Sequence, residues 1–161
     1  MRGGAIGNAE WSGARLVDVL AAAGFSEEKT PEARHVIFEG LDTDPANSPF
    51  GASIPIEKGA DPRGDVLLAY EMNGEPLSRD HGLVFFGTVL YIISNYAFRY
   101  PIRVVVPGVI GARNVKWLGR IEVAEVESDS HWQQNDYKGF NPSINWDNVD
   151  FSKSEAIQVF H

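Results

Sequence analysis

Four stretches of this sequence bring together side chains able to do chemistry. Gly40-Leu41-Asp42-Thr43-Asp44 sets two carboxylates two residues apart. Such a pair can bind a divalent cation, accept hydrogen bonds from the N–H groups of a heterocycle, or simply form a solvated turn. Arg79-Asp80-His81-Gly82, with Arg103 downstream, offers planar guanidinium forks that match phosphate or sulfate oxygens. The plain alternative there is a surface ion pair. The third stretch is Pro107-Gly108-Val109-Ile110-Gly111-Ala112-Arg113-Asn114-Val115-Lys116. Its glycines let the backbone approach a ligand closely, and its amides beside Arg113 and Lys116 suit an anion. It lacks the order of a Walker loop and the spacing of a dinucleotide fingerprint. In the fourth, Asp136-Tyr137-Lys138-Gly139-Phe140, a tyrosine beside a lysine can hold an oxyanion and pass a proton, or can be an aromatic packed beneath a loop. Residue chemistry alone thus points to an anion or phosphate-ester site.

The elements that must position these groups read as a strand-dominated α+β domain, and 161 residues suffice for one core. Ser12 can cap a helix over Gly13–Ala23, in which Leu16, Val19, Leu20 and Ala23 recur at helical spacing and Gly24 follows as the stop. Strands are expected over His35–Glu39, Ala52–Ile56, Val66–Met72, Ile102–Val106 and Lys116–Val126, with a tight turn at Asn73-Gly74. The part after Ser128 is loop-rich and aromatic. No internal repeat and no linker stands out.

Composition narrows the possibilities. The net charge of −8 argues against nucleic acid, whose binding needs clustered cations. With no cysteine, the chain has no disulfide and no thiolate nucleophile or metal ligand. The four histidines form no HxxxH or HExxH pair, which speaks against a metalloprotease. No secretory or transit-like segment opens the chain. Leu83–Phe98 is uncharged and apolar, but short for a membrane span, which needs about 20 such residues.

Taken together, the runs His35–Asp42, Phe50–Pro55, Val66–Gly74, Arg79–Gly82, Arg103–Gly119 and Asp136–Phe140 resemble the molybdopterin-binding domain of eukaryotic sulfite oxidases. Plant nitrate reductases share that domain and are the close alternative. The resemblance implies the mixed-sheet fold of this family and a molybdenum-molybdopterin cofactor. It implies that Asp42, His81, Arg103, Asn114, Val115 and Lys116 contact the cofactor, Asn114 through its backbone. It also implies that Tyr137 is the active-site tyrosine beside the sulfite oxygens. The reaction implied is oxidation of sulfite to sulfate, with electrons leaving to a haem domain and a cytochrome-type acceptor. A homodimer in the mitochondrial intermembrane space is the corresponding expectation, with no membrane span and no nucleic-acid partner.

Three departures qualify that resemblance. The family's molybdenum-ligating cysteine has no counterpart here and is expected upstream of Met1, with a further substrate-binding arginine. The haem and C-terminal dimerisation domains are likewise expected outside residues 1–161, which makes this chain a partial domain, inactive alone, or a non-catalytic pterin-binding fragment. Finally, Arg79-Asp80-His81-Gly82 is separated from Tyr100-Pro101-Ile102-Arg103 by Leu83–Arg99, foreign to the family pattern and readable as a translated intron. An exposed apolar insert of this kind is expected to lower solubility.

Overall fold

The computed structural model describes residues 7–81, 102–140, 142–145 and 147–150, and the backbone of Glu155 and Ala156. Leu83–Arg99, and the positions Gly82, Tyr100 and Pro101 named above, lie outside the described residues. Two small sheets share one core, in keeping with the strand-dominated α+β class, and every pairing among the described strands is antiparallel.

The first sheet is centred on β4 (Leu67–Met72). On one side β4 pairs with β1 (Trp11–Arg15), and on the other with β5 (Glu75–Pro76) and β6 (Arg103–Val105). Asn73 and Gly74 close the β4–β5 hairpin with φ of 54° and 78°, a conformation that both residue types tolerate. The second sheet has β2 (His35–Thr43) at its centre, between β3 (Pro49–Pro55) and β7 (Leu118–Ala124). Along β2 burial alternates: Val36, Phe38 and Gly40 face inward, as a period of two requires. Short helices α1 (Leu16–Ala22), α2 (Ile56–Ala60) and α3 (His131–Gln134) and two 3-10 turns (Pro62–Gly64 and Gly111–Arg113) connect these strands. A two-residue ladder joins β8 (Lys138–Gly139) to β9 (Glu155–Ala156).

The helix expected over Gly13–Ala23 is shorter than the sequence pattern suggests. Residues 11–15 pair with β4 instead, and the helix begins at Leu16, with Arg15 rather than Ser12 as its cap. The pairing is possible because Gly13 has no side chain: a Cβ there would stand 2.6 Å from Ala69 Cα and would meet the Leu68 carbonyl. The helix stop is as expected. Gly24 N–H donates to Ala21 O and Phe25 N–H to Leu20 O, the paired bonds of a Schellman ending, with Gly24 at φ 88°.

Leu16, Val36, Phe38, Ile54, Val104 and Val115 are fully buried and join the two sheets into a single cluster. Each such side chain contributes about 1.5–3 kcal/mol by leaving water. Val104 and Val115 also hold the site in place, because Val104 N–H donates to Val115 O at 2.8 Å and so fixes β6 against the Asn114–Lys116 segment.

A candidate anion site at the edge of the two sheets

Arg103 begins β6, where its Cα faces Ala69 of β4, which in turn faces Gly13 of β1. The guanidinium reaches toward β1 and lies 4.9 Å from the centre of the Trp11 ring, a cation–π contact. Its Nη1 stands 3.3 Å from His81 Nδ1, its Nη2 donates to Asn114 O at 3.2 Å, and its Nε to Val104 O at 3.4 Å. His81 also meets Trp11 edge to face at 6.2 Å. Three segments far apart in sequence therefore converge on one guanidinium.

Asn114 works chiefly as a loop brace. Its Oδ1 accepts from Val106 N–H at 2.6 Å and its Nδ2 donates to Ile110 O at 3.2 Å, so its own backbone is what it turns to Arg103. Val115 is buried in the core and leaves only its backbone to the site. Lys116 holds its ammonium 4.5 Å from the Trp117 ring centre. Trp117 itself has φ 47°. That conformation costs about 1–3 kcal/mol in a bulky residue and persists only where its surroundings enforce it. Here Trp117 N–H donates to His81 O, Trp117 O accepts from Leu41 N–H, and its indole N–H donates to Arg79 O at 2.8 Å. One residue thereby ties together the Arg79–His81 turn, the end of β2 and the start of β7.

Asp42 lies at the exposed end of β2, where the pairing with both neighbours shifts register. Its carboxylate folds over Gly40, whose absent side chain leaves room for it and for Lys116 O; a Cβ at Gly40 would stand 3.1 Å from that oxygen. Asp42 thus borders the Lys116 segment, while Asp44 caps its own turn by accepting from Ala46 and Ser48 N–H.

The electrostatics favour an anion. Burial, then the charges of Arg103 and Lys116, hold the His81 imidazole below its usual pKa, with Asp80 opposing weakly. Burial lowers the pKa of Arg103, which nevertheless stays charged, as arginine does in proteins. Arg103 and a neutral His81 beside Trp11, with Lys116 close enough to act on His81, are groups that suit an anion. No group of three or more acidic or histidine side chains is placed to hold a metal ion among the described residues. A separate cavity of about 740 Å³ lies between α1 and the β2–β7 face, lined by Leu20, Phe25, Leu41 and Ile121 among others. It is mostly apolar, and its Arg120 is already paired with Glu122 at 2.6 Å, so it does not compete as the anion site.

Tyr137 stands apart from this cluster. It is 48% exposed with φ 49°, and no contact joins its ring to His81 or Arg103 among the described residues. Its connection runs through Arg113, whose Nη2 donates to Tyr137 O at 3.2 Å and which directly precedes Asn114. Sequence reasoning singled out neither Trp11 nor Arg113 as a site residue. Trp11 gives no local signal, because its partners come from β6 and from the turn before the apolar stretch. Arg113 was visible only as one of several cations in a glycine-containing loop.

The family profile described as "Oxidoreductase molybdopterin binding domain" matches residues 1–84 and 97–132. Mitochondrial sulfite oxidase of Drosophila melanogaster is 63% identical over 156 residues, covering 97% of this chain and 24% of that protein. Its Homo sapiens counterpart is 55% identical over 157 residues, covering 98% and 25%. A barley NADH nitrate reductase is more distant, 41% identical over 128 residues, covering 78% of this chain and 12% of that protein. Among solved structures, the sulfane dehydrogenase SoxCD of Paracoccus pantotrophus superposes with a TM-score of 0.63 at 28% identity, covering 94% of this chain and 30% of that one. The chain therefore spans about a quarter of the length of the sulfite oxidases it matches.

Proposed function

The chain belongs to the oxidoreductase molybdopterin-binding domain family, and from that premise we propose that it forms the cofactor-phosphate side of an enzyme oxidising sulfite to sulfate. The observation that carries the reading is Arg103 set against His81 and Trp11, with Lys116 close enough to act on His81, in a chain 63% identical to a sulfite oxidase. The greater distance of the nitrate reductase favours sulfite over nitrate.

The residues present fit the organic part of the cofactor. Arg103 and Lys116 would neutralise its phosphate, with His81 as a neutral partner beside them. The Asp42 carboxylate would accept hydrogen bonds from pterin N–H groups, and the Asn114–Lys116 backbone would line the ring. When bound, this group supplies a two-electron redox centre. The thiolate that the resemblance implies for its metal must come from residues other than these, since the chain has no cysteine. Tyr137 would donate its phenol hydrogen to a sulfite oxygen and so orient a doubly charged substrate, while Trp11 and Trp117 keep water from the cations and strengthen their pull. Electron exit to a haem domain and a cytochrome-type acceptor, a homodimer, and residence in the mitochondrial intermembrane space complete the proposal, supported by the mitochondrial relatives. The family match leaves out residues 85–96, which supports reading Leu83–Arg99 as an insert.

The test is a chimera of the Drosophila melanogaster relative in which its matched segment is replaced by this chain, made with and without residues 83–99. A folded chimera that oxidises sulfite and leaves nitrate untouched supports the reading. A folded, cofactor-loaded chimera that reduces nitrate, or turns over neither anion, overturns it.

A further inference from the structure

We propose that Arg113 is the positioning residue for Tyr137, holding the tyrosine through its main chain and tying it to the cofactor loop. The inference rests on the reading of Tyr137 as the residue that faces substrate. Arg113 lies at the end of the 3-10 turn Gly111–Arg113 and is 2% exposed. A guanidinium so deeply withdrawn from water is expected to have its donors satisfied several times over. This one donates from Nη2 to Tyr137 O at 3.2 Å, while Nη1 has no partner. Core packing would be served better by an apolar side chain of similar size; the buried charge meets the Tyr137 carbonyl and is supported by the nearby Glu127 carboxylate.

The acceptor is equally unusual. Tyr137 adopts φ 49°, which bulky residues avoid unless held there. Its neighbour Lys138 is held too: the side chain is 5% exposed and its Nζ lies 3.9 Å from Glu127 Oε1, the same carboxylate that acts on Arg113. Glu127 accepts from Gln133 Nε2 at 2.8 Å, and Gln133 Oε1 accepts in turn from Ser53 N–H of β3. Arg113 and the buried Lys138 side chain thus both anchor the Tyr137–Lys138 segment beside Glu127, and the ring is left half exposed. Arg113 is covalently next to Asn114, whose carbonyl accepts from Arg103. A shift of the anion-binding loop is thus transmitted through one peptide and one hydrogen bond to the tyrosine.

The experiment uses the folded form of the chimera, labelled with 3-fluorotyrosine. Arg113→Met is expected to lower kcat about 10- to 100-fold with little change in bound pterin, and to shift or broaden the fluorine line of Tyr137 while other tyrosine lines stay put. Arg113→Lys, which keeps a donor for the carbonyl, is expected to restore most of the loss. In a Tyr137→Phe background, Arg113→Met is expected to cost almost nothing further, because the two act as one unit. Equal losses in both backgrounds, or an unmoved Tyr137 line, overturn the inference and leave the Tyr137 reading intact. Full activity of Tyr137→Phe overturns that reading and this inference together. If Arg113→Met fails to fold, Arg113→Leu takes its place: a shifted Tyr137 line with a kcat loss that disappears in the Tyr137→Phe background supports the inference, and an unmoved line or an equal loss in both backgrounds overturns it.

Discussion

Arg103 Nη1 stands 3.3 Å from His81 Nδ1, and because a guanidinium can only donate, the imidazole nitrogen must accept. His81 is thereby fixed as the neutral form with Nδ1 unprotonated. Burial does most to disfavour its protonation, and the charges of Arg103 and Lys116 add to it. A depressed folded-state pKa gives stability that is present above the unfolded value and lost as pH falls through the folded one. His81 is expected to titrate below the ordinary histidine range in a heteronuclear NMR titration of the ring. Arg103→Met should move that midpoint upward, and so should a bound phosphate monoester. A midpoint that ignores both changes would remove the cluster from the account.

Replacing Arg103 by lysine should weaken binding of a pterin phosphate about tenfold or more, although the charge is kept. One ammonium cannot at once meet His81, Asn114 O and the Trp11 face as the guanidinium does. Fluorescence titration with the pterin phosphate is the measurement, and unchanged affinity would mean that only net charge matters.

A methyl group at Gly13 should damage both fold and site. The added carbon would collide with Leu68 and Ala69 of β4, and overpacking of this kind costs about 1–3 kcal/mol. Since β1 carries Trp11, Gly13→Ala should also withdraw the indole from Arg103 and weaken ligand binding. Denaturant midpoints and binding measured on the same preparation check the coupling; a variant of parental stability and affinity contradicts it.

Phe38→Ala should destabilise the domain by about 3–5 kcal/mol, because Phe38 is fully buried at the centre of β2, where both sheets meet. Urea denaturation gives the value, and a loss under about 1 kcal/mol would show that this position is not at the centre of the core.

These residues also show what the sequence alone could reveal. Strands with a period-two pattern or a β-branched run were legible, as were the Asn73-Gly74 turn and the Gly24 helix stop, because each is set by local conformational preference. The Gly13–Ala23 helix was overextended because the pairing of residues 11–15 with β4 depends on partners more than fifty positions away in the chain. His81, Arg103, Asn114 and Lys116 were legible as cations and loop residues, and the fold brings them together. Trp11 was illegible for the same reason as β1: what makes it part of a site is the small Ala69 between Gly13 and Arg103 across the sheet. The positive φ of Trp117 and Tyr137 had no signal either, since neither residue type advertises that conformation.

The most direct test of the central claim is the pterin content of the purified chimera, measured by fluorescence after oxidative release, beside that of an Arg103→Met/Lys116→Met variant of equal thermal stability. The account predicts close to one pterin per folded chain in the parent and a loss of about tenfold or more in the variant. A folded parent without pterin, or a variant that retains it in full, would contradict the assignment of these cations to the cofactor phosphate.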